Sequence, residues 1–250
     1  MPISPSQGSS AGGQTVNVTG VNLGSATAVH FGSKLATITA NSASSVTVTS
    51  PSGSGVVPVT VTTAGGTSNP LNFYYIGAPF KSALSTVAGP LAGGNTVTIT
   101  GTGLSTASAV HFGANTATPT IVSDSQITAV VPAGAAAGTV GVSVTTAGGS
   151  NNGFSYTYVD TPTVTGFTPS SGPPSGGTAV TITGTNLSTT QSVTFGGVAA
   201  SFTVIGDTSL AAVSPPTGDG APGPAEIAVT TLGGTAAAAT QFQYVSGPNI

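Results

Sequence analysis

The chain has 250 residues, of which 3 % are charged and 38 % hydrophobic, with a formal net charge of −3 at pH 7 and no cysteine. Lys34 and Lys81 are its only basic residues besides two histidines, too few to neutralise a row of phosphates, so nucleic-acid binding and a polybasic membrane signal are excluded. Absent cysteine rules out disulfides and thiolate metal sites, and apolar runs of only a few residues rule out a membrane-spanning helix and membrane insertion.

In chain order, one stretch recurs three times: Gly12-Gly13-Gln14-Thr15-Val16-Asn17-Val18-Thr19-Gly20, Gly93 to Gly101, and Gly176 to Gly184. Apolar residues alternate with Thr or Asn between glycines, the mark of a strand buried on one face. Copies 81 and 83 residues apart are too widely spaced for solenoid or propeller repeats and mark whole domains. A second strand ends in Phe-Gly, at Phe31-Gly32, Phe112-Gly113 and Phe195-Gly196. The phenylalanine is the expected centre of each core, with His30, His111 and Thr194 on the opposite strand face.

A third strand in each copy ends at Pro51, Pro132 or Pro215, where pairing has to stop or lie at an edge. Ser-Asp-Ser at 123–125 and Gly-Asp-Thr at 206–208 before it suit side-chain-capped turns. The next strand starts at Val59, Val142 or Ile227 and runs into a Gly-Gly hairpin turn. The return strand carries Phe73 with Tyr75, Tyr156 with Tyr158, or Phe242 with Tyr244. From proline to next strand the spacing is 8, 10 and 12 residues in the successive copies, the behaviour of an exposed loop at one end of a domain. In the third copy that loop is Thr217-Gly218-Asp219-Gly220-Ala221-Pro222-Gly223-Pro224.

These elements predict an all-β chain of three domains, 1–77, 78–160 and 161–250, each an immunoglobulin-like β-sandwich. The linkers Ile76-Gly77-Ala78-Pro79 and Val159-Asp160-Thr161-Pro162 are short and end in proline, which predicts restricted hinge freedom and an extended rod. So few charges leave a surface of Thr, Ser, Asn, Gln and backbone, and such weak mutual repulsion favours association. The first residues lack the basic start and apolar stretch of a secretory signal. The expectation is an excised or mature fragment, or export that needs no signal.

Together the motifs resemble the IPT/TIG family of immunoglobulin-like domains. The third copy shows the family pattern in full: Pro162, Phe167-Thr168-Pro169, Gly172-Pro173, Gly176-Gly177, Phe195-Gly196, Pro215 and Phe242-Gln243-Tyr244. The second departs from it with Ser85 at the inner proline, and the first starts late, at Ile3-Ser4-Pro5. The resemblance implies a general-purpose building block, as found in bacterial surface proteins, phage virion proteins, carbohydrate-active enzymes, animal receptors and Rel-type transcription factors. The DNA-binding branch uses arginine-rich loops, and arginine is missing here; the enzyme branch uses a separate catalytic domain, for which three repeats leave no residues.

Catalysis would need paired carboxylates or a nucleophile beside a base, and five acids are scattered over three domains. Neither a catalytic residue, a cofactor nor a metal site is expected, His30 and His111 lacking recurrent partners. Asn17-Val18-Thr19 and Asn186-Leu187-Ser188 match the glycosylation pattern by chance, and the aromatic pairs are read as core and tyrosine-corner-like packing. Tyr74 lies on the opposite strand face from Phe73 and Tyr75. Pro248 follows Tyr244 as Pro79 follows Tyr75, so Pro248, Asn249 and Ile250 read as the start of a further domain, while Pro2 and Ile3 begin a domain without a full lead-in. One subunit's tail would supply the next subunit's lead-in, giving a homo-oligomer or filament. The expected function is thus a structural protein of a fibre, virion or cell surface. The alternative is an adhesin gripping a carbohydrate or protein through Thr217, Asp219, Pro222 and Pro224.

Overall fold

The computed structural model describes residues 2–247, without the side chain of Asn152. Only strands and connections occur among them. By Cα proximity the chain separates into two compact units: Met1–Ser85 with Thr96–Val130 and Gly141–Phe154, and Thr86–Asn95 with Val131–Val140 and Ser155–Ile250.

In the first repeat a four-stranded sheet has the order Ile3–Ser4, Thr15–Thr19, Ser45–Thr49, Thr37–Asn41. A second sheet runs Gln7–Ser9, Leu71–Ile76, Gly55–Thr63, Ala28–Phe31, Lys34–Leu35, with Gly66–Thr67 on the long strand. Alternation decides what lies between them: Val16, Val18, Val46 and Val48 point inward from one sheet, and Val29, Phe31, Val59, Val61 and Phe73 from the other. Phe31 meets Phe73 edge-on at 5.0 Å between ring centres, the geometry favoured by the aromatic quadrupole.

The second repeat has Phe80–Leu84, Thr96–Thr102, Gln126–Val130 and Thr120–Ser123 in one sheet. Its other sheet holds Ala88–Pro90, Gly149–Val159, Gly138–Thr146, Ala109–Phe112 and Asn115–Ala117. The third repeat repeats this order with one change. Val198–Gly206 is a single strand whose start pairs with Thr190–Phe195 and whose end pairs with Ser209–Val213. The two faces thereby join into one eight-stranded sheet, turning the corner with a strand that switches layers. Val180, Ile182, Phe195, Leu210, Ile227 and Phe242 form its core.

Register aligns the repeats and corrects three sequence expectations. Ile3 pairs with Val18, Leu84 with Ile99 and Phe167 with Ile182, so the first repeat has a lead-in strand, shortened to two residues. The same register puts Thr86, not Ser85, opposite the inner prolines Pro5 and Pro169, both of which follow cis peptide bonds. The long strands begin at Gly55, Gly138 and Gly223, four residues before the expected starts, because pairing with the return strand continues to Tyr75 and Tyr244. The loops between them and the preceding strand still lengthen, with five, seven and nine residues.

Candidate functional site

The Gly-Gly motif, the strand-ending proline and the return-strand tyrosine are one local device. Gly12, Gly93 and Gly176 take φ of 77°, 67° and 75°, and a Cβ on any of them would collide with backbone at Pro51, Pro132 or Pro215 respectively. Glycine is therefore required twice over, by conformation and by close approach. The carbonyl of that proline accepts the tyrosine hydroxyl: Tyr75 Oη to Pro51 O is 2.7 Å, Tyr158 to Pro132 2.8 Å and Tyr244 to Pro215 2.6 Å. Burial pushes the Tyr75 and Tyr244 hydroxyls above the usual phenol range, so they stay protonated donors. The expected tyrosine-corner packing is what the structure shows. Tyr156, in the place of Phe73 and Phe242, donates its hydroxyl to Asn95 Oδ1 at 3.0 Å.

Beside this device the loop of repeat three forms a concavity of about 200 Å³, which brings together Thr217, Asp219, Pro222 and Pro224 with Phe195 and Tyr244. The predicted binding-loop residues thus share one site. Asp219 is exposed, and its Oδ1 accepts the Ala221 N–H at 3.0 Å; Thr217 N donates to Pro174 O at 2.8 Å. Pro224 belongs to a strand, paired with Gln243. Phe195 and Tyr244 are 1 % and 4 % exposed, so they wall the site without offering a ring face for stacking. The equivalent hollow in repeat one, about 210 Å³, is lined by Phe31, Tyr75 and Lys34, whose Nζ donates to Ser52 O at 2.9 Å. One site type therefore carries opposite charges in the two repeats.

Of the predicted self-association residues, Pro248, Asn249 and Ile250 lie outside the described residues. Pro2 and Ile3 are engaged in their own repeat: Pro2 O accepts the Thr19 N–H at 3.0 Å, and Ile3 packs on the core. His30 and His111 are half-buried on the outer strand face, His111 Nδ1 lying 3.0 Å from Thr116 Oγ1. Among the described residues no group of three or more His, Asp or Glu is placed to hold a metal ion. No helix among them is long and apolar enough to cross a membrane. Tyr74 is 46 % exposed.

Three features escaped sequence reading. Asp124 accepts from Ser105 Oγ at 2.7 Å and from Gly103 N at 3.1 Å, and Asp207 from Ser188 Oγ at 2.8 Å. The serine hydroxyl, above the other donors, holds each carboxyl below the usual carboxylate range. Lys81 is buried, its Nζ 2.7 Å from Val142 O and 5.2 Å from the Phe154 ring centre, and desolvation pushes its pKa down. The linkers are clasped by the following repeat. A Cβ on Gly148 would overlap the Gly77 carbonyl, and one on Gly233 the Asp160 carbonyl. Asn186 Nδ2 donates to Thr161 O at 3.0 Å, and Asn151 Nδ2 to Pro79 O. The recurring Gly-Gly pair was the available signal for these tips.

Mostly antiparallel layers with one parallel edge pair in each repeat, a tyrosine bound to a proline carbonyl and an aromatic core three times over define tandem immunoglobulin-like modules. The IPT/TIG domain model matches residues 1–75, 79–158 and 162–244, and the chain belongs to that family. No enzyme family is indicated. No curated protein matches the sequence. Among solved structures, the full extracellular region of plexin A4 has 20 % identity and a TM-score of 0.48, covering 100 % of this chain. This chain spans 24 % of that one, and 33 % of a second plexin A4 structure. The Escherichia coli adhesin FdeC has 16 % identity and a TM-score of 0.36, covering 98 % of this chain and 96 % of its own. A Bacteroides ovatus SGBP-B in complex with a mixed-linkage heptasaccharide has 15 % identity and a TM-score of 0.32, covering 93 % and 64 %.

Proposed function

We propose that the chain is a non-catalytic scaffold, three immunoglobulin-like domains bounded at 1–77, 78–160 and 161–250, that spaces or assembles components of a fibre, virion or cell surface outside the cell. The clasped linkers carry this reading. Each inter-repeat peptide lies against the glycine tip of the next repeat's hairpin, so the junction is held by the following domain and transmits position. A surface almost without charge fits close association with neighbours. Digestion with a broad-specificity protease tests it: residues 76–80 and 159–163 resist cleavage for as long as the domains stay folded. First cuts at those linkers, releasing intact domains, would overturn the scaffold reading.

A second reading is favoured by the hollow of repeat three. Its exposed Asp219, prolines and lining backbone would grip a carbohydrate or protein ligand in an adhesin-like role. A glycan array, repeated after replacing loop 214–222 with 50–54 of repeat one, tests this: signal lost with the loop supports it, and silence of the native chain on glycans and candidate surface proteins overturns it.

A further inference from the structure

We propose that the Asp219 loop of repeat three docks into the Lys34 hollow of repeat one on a second copy of this chain. The inference rests on the scaffold reading and deepens it, by naming a contact through which copies assemble. Its basis is that equivalent places in the two repeats carry complementary charge and complementary relief.

Arginine is absent and Lys81 is buried, so Lys34 is the one exposed lysine. Its Nζ donates to Ser52 O at 2.9 Å and to Ser52 Oγ at 3.2 Å, which leaves one of the three ammonium N–H groups for a ligand. Among the carboxylates, Asp124 and Asp207 are held by Ser105 and Ser188. Asp160 belongs to a clasped linker, and Glu226 lies within a strand, paired with Gln241. Asp219 is exposed on a loop, and among the described residues only its Oδ1 receives a hydrogen bond, from the Ala221 N–H. Its Oδ2 is left to accept.

Relief follows the same division. In repeat one a Cβ on Gly53 would collide with the Tyr75 ring. The short loop therefore lies on that ring and leaves a hollow of about 210 Å³ open beside Lys34, Val57 and half-buried Tyr75. In repeat three a Cβ on Gly218 or Gly220 would meet nothing within 4 Å, so the longer loop stands clear of its own domain. It is shaped in advance: Thr217 N donates to Pro174 O at 2.8 Å, and Gly220 N to Thr217 O at 3.2 Å. A preformed turn loses little conformational freedom on docking. Seated with Asp219 Oδ2 on Lys34 Nζ, it would bring the exposed Ala221 and Pro222 against Val57 and the edge of the Tyr75 ring. An exposed ion pair contributes little by itself, but on a surface with so few charges it fixes which faces meet. The contact is therefore weak, dependent on concentration and screened by salt.

Sedimentation velocity of the full chain over its whole soluble concentration range tests the proposal, at low ionic strength and again in 1 M salt, where screening acts within about 3 Å. Three variants accompany the wild type: Asp219→Asn, Lys34→Glu and Asp219→Lys, all at exposed positions. The wild-type mass should rise with concentration at low salt, and high salt should suppress the rise. Asp219→Asn should weaken association about fivefold, and each charge reversal alone should abolish it. An equimolar mixture of Lys34→Glu and Asp219→Lys chains should associate again, because every loop then faces a hollow of opposite charge. A lysine that only ties the loop to its own hairpin would give no such rescue, and a mixture that stays monomeric overturns the contact. So does a wild-type chain that stays monomeric at low salt, or variants that associate as it does. Protease-resistant linkers in such a monomer would leave the scaffold reading standing, so the two failures are distinguishable.

Discussion

Repeats one and three have equivalent core positions and opposite edges. In repeat three the strand 198–206 ties both layers into one sheet, and the entering linker is held by Asn186 and the Gly233 tip. In repeat one the corresponding strand is broken around Ala36 into Lys34–Leu35 and Thr37–Asn41, each on a separate sheet; the equivalent Asn22 is exposed, and a Cβ on Gly65 would meet only its own repeat's Thr63 hydroxyl. The lesson is that alternating Val, Ile and Phe set the sandwich, while the rim asparagine and glycine of repeat three hold the entering linker.

Three substitution pairs sharpen or break that contrast, taken from the largest effect down. Phe195→Ala and Phe31→Ala each remove a core-centre ring and should cost about 3–5 kcal/mol in chemical denaturation, with equal losses marking the shared core. Gly233→Val should cost about 1–3 kcal/mol through overpacking against the linker, whereas Gly65→Val should leave stability unchanged in the same measurement. Tyr244→Phe should cost ~1 kcal/mol through the lost hydrogen bond to Pro215, and Tyr75→Phe less, since Tyr75 is only half-buried.

The acid response is the smallest effect. Asp207 in repeat three and Asp124 in repeat two have carboxyls held below the usual range, first by Ser188 and Ser105 hydroxyls. A depressed folded pKa contributes stability that is present above the unfolded value and is lost as pH falls through the folded one. Repeat one has Ala43 and Gly24 at these places. Acid titration followed by hydrogen exchange should therefore loosen loops 186–190 and 103–107 before 22–26, and Asp207→Asn should flatten the response of repeat three.

Much of the fold was legible because it is local and periodic. Thr15–Thr19, Ser45–Thr49 and Gly55–Thr63 announce themselves by alternation, and Phe31, Phe112 and Phe195 are buried as the Phe-Gly pattern requires. Thr37–Asn41 and Thr120–Ser123 were missed because they are edge strands largely exposed on both faces, which leaves no apolar period to read. The joining strand 198–206 hides for a related reason: it changes sheets midway, so no single face persists. Of the candidate sites, the repeat-three loop was visible as the least repeat-like stretch. The linker clasp was not, because it depends on a backbone carbonyl approaching a glycine and on Asn186 reaching back 25 residues.

The central claim is that each linker is held by the following domain. The absence of native cysteine allows spin labels at Ser42→Cys and Ser123→Cys, both exposed and on either side of the first junction, with distances read by double electron–electron resonance. A narrow distance distribution that broadens when Gly148→Val is added is the predicted result. A broad distribution in the chain without Gly148→Val would contradict the account.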